Sequence, residues 1–533
     1  MTEEPLYSHN LQNGFGLQKY LSPVVLLGII LILGAALRFY DLGAESYWMD
    51  EVATTIEAQQ NLSQLLAMGR LDQPPAYYLP IHFWAEIFGT SEVSLRSFSA
   101  LIGTSSIVLI YLVGRMLFGE EVALLGAFLM AISDFQISFA QEARNYILFE
   151  FATLLSYLFF ILFLNGKRKI HLILYFVFSV FMVYTNAFGI CLLAAQDLFL
   201  VLQFKRYRTV MGIWIIAQVL ILLAISPYFS TIIFGNGGME GAVALNLSGP
   251  HPSSFSDVIR SVYRFILPPR RYFGADMEWG NSLIFNYAIA GIFLVVGVLI
   301  YILRQGIGNW LVALRKVVGD FLDIPEVKRN ILLVSCWFLC PPTLLFIVSK
   351  VFMPVYAYRY VISVSPAFYL LLALAMIGIR KVVPLWISMG MLMILIVPGL
   401  GNYYLSATKE QWNEAAAFIE EHGGQNAVLV FAPNDSNVNT GNQLKAFNYY
   451  YDGNLPSCGL GTDELTDDEI WEALRKCTTG YTRFWVIIRH TTASNITFSR
   501  YESFFLDPAQ TPIHFIEDAQ FYSISAYLFE WAK

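Results

Sequence analysis

Asp50 and Glu51 stand side by side in SYWMDEVATT (46–55), just past an apolar run and next to Tyr47 and Trp48. Three other short stretches combine charged and aromatic side chains: RLDQPPAYY (70–78), QEARNY (141–146) and VYAYRY (355–360). Together they supply two complementary groups. A carboxylate can take the proton of an incoming hydroxyl, and a guanidinium offers a planar fork of donors to a phosphate. Each stretch also has a plain structural reading. Adjacent acids at a helix start cap it and complement its dipole. Arg359 among tyrosines at the end of an apolar run suits an interface anchor. Glu142 and Arg144 suit a solvated turn, and Pro74-Pro75 a helix start.

The elements that must position these residues are set by composition. The chain of 533 residues is 56% hydrophobic and only 14% charged, where a soluble globular protein carries about 25% charged residues. Apolar runs long enough to cross a bilayer recur near 21–39, 95–113, 121–139, 146–164, 170–186, 188–204, 210–227, 284–303, 331–349, 361–378 and 383–400. This pattern is that of an α-helical polytopic membrane protein with about eleven transmembrane helices. A net charge of −7 gives no basic surface for nucleic acid.

Lys and Arg set the orientation. Fifteen of them, from Lys19 to Lys381, fall on the side of the N-terminus, against Arg70, Arg144, Lys350 and Arg359 in the short loops opposite. The positive-inside rule then puts the N-terminus in the cytoplasm and the long segments 40–94, 228–283 and 401–533 outside it. The expected location is a multi-pass plasma (inner) membrane, with the first apolar run retained as a helix rather than removed as a signal peptide.

In the first outer segment, DEVATTIEAQQNLSQLLAMG and PPAYYLPIHFWAEIFG read as amphipathic interfacial helices; SDVIRSVYRFIL reads as a third. Residues 1–400 therefore form a membrane domain and 401–533 an extracytoplasmic α/β domain, in which EQWNEAAAFIEEHG and DDEIWEALRKC alternate with NAVLVFA, RFWVIIRH and AYLFEW. Cys458 and Cys477 could pair there if the compartment is oxidising.

All four chemical stretches fall on the outer face. Acids and arginines at that water edge are what a sugar carried on a lipid phosphate requires. The ordered string LRFYDLG, SYWMDE, DQPPAYYLPIHFWAEIFG, SEVSLRSFSALIG, LVGRMLFG, SFAQEARNYIL and YRYVISVSPAFYLLL resembles the GT-C glycosyltransferases of the protein O-mannosyltransferase and lipid A aminoarabinose transferase type. The likeness is close over about residues 25–165 and looser over 350–372.

The resemblance implies inverting transfer of one sugar from a polyprenyl-phosphate donor to an acceptor hydroxyl of a protein, glycolipid or surface polysaccharide. It places the general base at Asp50, with Glu51 supporting the loop or the acceptor. Arg359 and Tyr360 match the late element associated with the lipid phosphate, and Glu142, Arg144 and Tyr146 match the second-loop element. Relatives often have His or Lys before the paired prolines, where this chain has Gln73 after Asp72. The donor's charge then falls to Arg144, Arg359 or Arg70. No residue is assigned to a metal and no cofactor is required, although the scheme has room for a divalent ion.

Two other readings compete. A transporter or lipid flippase would place charges near the middle of the membrane, often beside broken helices, whereas the middles of these spans read as almost free of ionisable residues. An adhesion or scaffold protein would leave the acid and arginine loops unused.

Overall fold

The computed structural model describes residues 21–67, 74–234, 254–266, 325–351, 355–380, 383–424, 426–432, 442–460, 465–490, 495–507 and 512–532. Arg70, Asp72 and Gln73, and the expected span near 284–303, lie outside them.

Apolar sequence becomes helix because each backbone polar group must be satisfied within the membrane. The N-terminal part comprises α1 (Pro23–Phe39), α2 (Met49–Ala58), α3 (Leu62–Ala67), α4 (Pro75–Phe88), α5 (Glu92–Phe118), α6 (Glu120–Ile132), α7 (Asp134–Ala140) and α8 (Tyr146–Gly166). There follow α9 (Lys169–Thr185), α10 (Gly189–Leu202), the short α11 (Phe204–Tyr207), α12 (Met211–Phe234), α13 (Phe255–Tyr263), α14 (Pro325–Val351), α15 (Ser365–Ile379) and α16 (Leu385–Leu405). A 3-10 turn at Tyr358–Val364 leads into α15.

Six of the described helices are long and apolar enough to cross a membrane, the bent pair α6–α7 is so when taken together, and three shorter apolar helices, α1, α9 and α10, join them. These sit at the expected positions. The first outer segment departs in detail, because the single expected helix breaks at 59–61 into α2 and α3.

The α6–α7 bend of 61° explains a buried charge. A helix that stops at Ile132 leaves terminal carbonyls without partners. Arg38, fully buried on α1, donates to Met130 O (2.9 Å) and Ala131 O (3.0 Å), while Ser133 caps the next helix. Close contact elsewhere depends on small residues: a Cβ on Gly114 would lie 3.1 Å from Ala123 Cα and 2.7 Å from Leu370. Gly89 (φ 81°) and Gly119 (φ 86°) end α4 and α5 in a conformation that glycine adopts without penalty.

The C-terminal part is an α/β unit. Its five-stranded sheet has the order β2-β1-β3-β5-β4, from β1 (Ala427–Ala432), β2 (Ser457–Gly459), β3 (Arg483–Arg489), β4 (Ile513–Phe521) and β5 (Ile524–Trp531). Strand β1 runs parallel to β2 and β3, and β5 runs antiparallel to β3 and β4. Helices α17 (Trp412–His422), α18 (Asn442–Tyr450), α19 (Asp467–Cys477) and α20 (Asn495–Leu506) complete it. Val428, Val430, Phe484 and Val486 pack with Ile470 and Leu474 of α19. On the opposite face, Leu429, Phe431, Trp485 and Ile487 join Trp412 of α17 and Phe447 of α18, and this core continues into Tyr47, Val52, Tyr77 and Ile81 of the first outer segment. A disulfide joins Cys458 to Cys477 across a Cα separation of 5.9 Å.

Candidate active site

Helix α2 begins at Met49, so Asp50 and Glu51 fall in its first turn, where negative charge opposes the helix dipole favourably. Their side chains nevertheless go different ways. Glu51 points inward and is completely buried. Its carboxylate accepts from Arg96 Nε (2.9 Å) and Nη2 (2.7 Å), from the backbone N–H of Ala143 (2.8 Å) and from Lys409 Nζ, 3.1 Å from each oxygen.

Arg96, in the first turns of α5, spends its remaining donors on the carbonyls of Leu42, Glu45 and Ser46 at 2.7–2.9 Å. Burial alone would raise the Glu51 pKa, but Arg96 and Lys409 hold it down to about 2. The group is a permanent anion inside the protein. Its surroundings are those of a loop support, and it offers no face to an acceptor.

Asp50 points the other way. Its carboxylate lies 3.8 Å from Arg144 Nη2 and 3.7 Å from Arg359 Nη1. Both are ion-pair separations too long for hydrogen bonds. The three side chains are 28%, 12% and 34% exposed respectively, so the cluster is shielded but open on one side. Arg144 also donates to Asp50 O (3.2 Å) and Thr54 Oγ1 (3.4 Å) and approaches Tyr78 of α4. Each arginine keeps a buried Nε–H with no hydrogen-bond partner among the described residues.

The flanking elements hold this geometry. Asn145 Nδ2 donates to Thr185 O (2.8 Å), tying the 141–145 loop to the end of α9. Ser349 Oγ accepts from the N–H groups of Val355 and Tyr356, so the chain leaves α14 at a fixed point just before Arg359. The Arg359 guanidinium lies 5.5 Å over the Tyr360 ring, which packs against Phe188 (4.8 Å) and Tyr146 (6.4 Å). Arg144 in turn lies 5.9 Å over Tyr146.

Glu142 is half-buried on the same loop. Burial lifts its pKa to about 7, with Glu51 and Asp50 adding to the shift and Lys409 and Arg144 opposing it. Among the described residues no three His, Cys, Asp or Glu side chains are grouped closely enough to hold a metal ion.

An apolar cavity of about 980 Å³ lies between α4, α5, α8, α9 and α12, with no residue of the cluster in its lining. Helix α4 lines it with Ala76 and Leu79 and reaches Arg144 with Tyr78. Of the expected site residues, Asp50, Arg144, Arg359, Tyr360 and Tyr146 come together, and Glu142 is on their loop. Arg96 and Lys409 carry the support of Glu51 and were assigned no part from the sequence. Arg96 does carry a signal, since it is a charge inside an expected span.

The described residues form a bundle of apolar helices with short helices and the charged cluster at one end and an α/β unit packed against them. The fold is shared with ArnT from Cupriavidus metallidurans in its apo state, with a TM-score of 0.51 at 12% identity over 95% of this chain and 97% of that one. The same protein bound to undecaprenyl phosphate gives 0.49, also at 12% identity and the same coverage. Residues 72–230 match the family described as dolichyl-phosphate-mannose-protein mannosyltransferase. A protein of Aquifex aeolicus, described as uncharacterized, is 31% identical over 153 residues, which are 26% of this chain and 30% of that protein's length. The chain thus shares the fold of ArnT, and over residues 72–230 its sequence matches the mannosyltransferase family.

Proposed function

We propose that the protein is a membrane glycosyltransferase that moves a single sugar from a polyprenyl-phosphate donor to an acceptor hydroxyl on the extracytoplasmic side, with inversion. The observation that carries this reading is the Asp50 carboxylate set between Arg144 and Arg359, each with an unpartnered Nε–H. The family matched by residues 72–230 carries dolichyl-phosphate-mannose in its description, a sugar on a polyprenyl-type phosphate, which supports a lipid-linked donor.

Asp50 accepts the proton of the acceptor hydroxyl as its oxygen attacks the anomeric carbon. The bond from that carbon to the phosphate oxygen breaks, and Arg144 and Arg359 balance the charge of the departing lipid phosphate. One displacement gives inversion. Tyr360 and Tyr146 hold the two guanidinium planes, Glu142 supports the loop, and the polyprenyl chain occupies the apolar cavity beside α4. Arg70 keeps its expected part in binding the donor phosphate, and Asp72 and Gln73 their supporting ones. The lipid-linked sugar is the substrate, and whether it is a hexose or a pentose is set by contacts to the sugar.

The Cys458–Cys477 disulfide supports an oxidising compartment for residues 401–533, with the N-terminus opposite and 1–400 forming the membrane domain. A transporter would need ionisable groups deep between moving halves. Buried charges here are instead tied into fixed hydrogen bonds, Glu51 and Arg96 next to Asp50, Arg38 at the α6–α7 bend and Glu150 with Gln136 and Ser365.

Replacing Asp50 with Asn tests the assignment. Turnover of a polyprenyl-phosphate sugar is expected to fall by about 10²–10⁴, the usual worth of a positioned base, with undecaprenyl phosphate affinity retained. Wild-type turnover in that variant would refute it.

A further inference from the structure

The chain returns to the first outer segment at two consecutive residues between α16 and α17. Lys409 Nζ donates to both oxygens of Glu51 and to Gln141 O (2.8 Å). Glu410 takes hold on the other side of Asp50. Its Oε2 accepts the backbone N–H of Met49 (3.1 Å), the first residue of α2, and Trp412 Nε1 (2.6 Å). Its Oε1 accepts from Arg489 Nε (2.5 Å) at the end of β3, and its carbonyl accepts from Ser46 Oγ (2.6 Å).

The neighbours of Asp50 in the chain are thus both gripped from the C-terminal side, residue 49 through its main chain and residue 51 through its side chain. Both gripping residues are buried, at 8% and 7% exposure. Burying a lysine is costly unless it is fully partnered, and Glu51 already has a guanidinium bound through two atoms. The second cation adds a tether that charge balance alone does not require. Trp48, before the helix, has no side-chain acceptor for the free N–H groups of the first turn, and the Glu410 carboxylate takes up the first of them, that of Met49, from 361 residues away.

We propose that Lys409 and Glu410 are positioning residues. They fix the first turn of α2 so that Asp50 is held between Arg144 and Arg359, and the C-terminal domain is thereby part of the construction of the active site. The claim about turnover rests on the reading of Asp50 as proton acceptor; the claim about α2 does not.

The test uses the full chain in nanodiscs, with Lys409→Met and, because that change leaves Glu51 with one cation, Glu410→Gln as a milder second variant. Deuterium uptake of residues 49–58 is expected to rise in both, while β1, β3 and β5 exchange as in the wild type. With a panel of undecaprenyl-phosphate-linked sugars, kcat is expected to fall by roughly 10- to 100-fold, as for a small misplacement of a reacting group. Affinity for undecaprenyl phosphate should stay unchanged and Lys409→Arg should recover part of the rate. Unaltered uptake over 49–58 in both variants, or wild-type kcat in both, overturns the proposal. Turnover surviving Asp50→Asn would instead sink the functional reading and leave the exchange result standing.

Discussion

A helix turns about 100° per residue, so two adjacent acids at its start cannot face the same surroundings. In α2 that divergence sends Asp50 to the open cluster and Glu51 to a sealed one. Arg359 has the looser hold of the two cluster arginines, with no hydrogen bond to Asp50 and the greater exposure, so its fork is available to an anion. Arg359→Ala is expected to weaken undecaprenyl phosphate binding by roughly 10- to 100-fold, the equivalent of about 1.5–3 kcal/mol for a charge-assisted bond, measured by calorimetry in detergent.

Glu142 gives a pH signature. Its pKa in the folded protein, about 7, exceeds the ordinary carboxyl value of 4.5, so the folded state holds a proton that the unfolded state has lost between those two values. Stability therefore declines as pH rises through that window. Glu142→Gln should melt higher than the wild type at pH 8 and alike at pH 4; equal melting at both would show the group to be uncoupled. The acids and arginines are legible in the sequence from residue type and from their place at span ends. The division of labour between Asp50 and Glu51 is not, because it depends on Arg96 and Lys409, which lie 45 and 358 residues along the chain from Glu51.

At the scale of elements, hydrophobic length finds the spans because a single apolar segment satisfies its own backbone in lipid only as a helix. Breaks inside spans are harder to see. The α6–α7 bend falls within one apolar run, 121–139, and its cause is partly Arg38, on a different helix. Removing that guanidinium strands two carbonyls, each costing about 1–3 kcal/mol if left unmade. Arg38→Met should accordingly lower the melting temperature in detergent and loosen α7, seen as faster cysteine labelling along 134–140. Labelling unchanged from wild type would mean that the bend is held by other contacts. In the C-terminal unit the buried strands β1, β3 and β5 announce themselves as apolar runs, whereas β4 does not. It pairs only with β5 and is largely exposed, so IHFIEDAQF carries no apolar stripe.

Across the whole molecule, residues 401–533 read in sequence as a separate appendage, because a composition shift marks a boundary and says nothing about contacts across it. The hydrophobic core shared by Leu429, Trp485, Tyr47 and Val52 joins what composition divides. The disulfide stiffens the distal side of that unit, linking residues 19 apart. For a loop of that size, cross-linking is worth about 3 kcal/mol. Cys458→Ser with Cys477→Ser should lower the unfolding midpoint of this unit without altering exchange over 49–58, and an unchanged midpoint would show the bridge to be dispensable.

The tether at Lys409 also has a consequence in time. Glu51 is synthesised 358 residues before the amine that completes its surroundings, so during translation the acid waits with Arg96 as its one cationic partner while every later helix is inserted. The pocket can be finished only after residue 409 has been made and has reached the side of the protein on which Glu51 lies. A chain that stops before residue 409 therefore lacks the second cation on Glu51 and the grip on the first turn of α2.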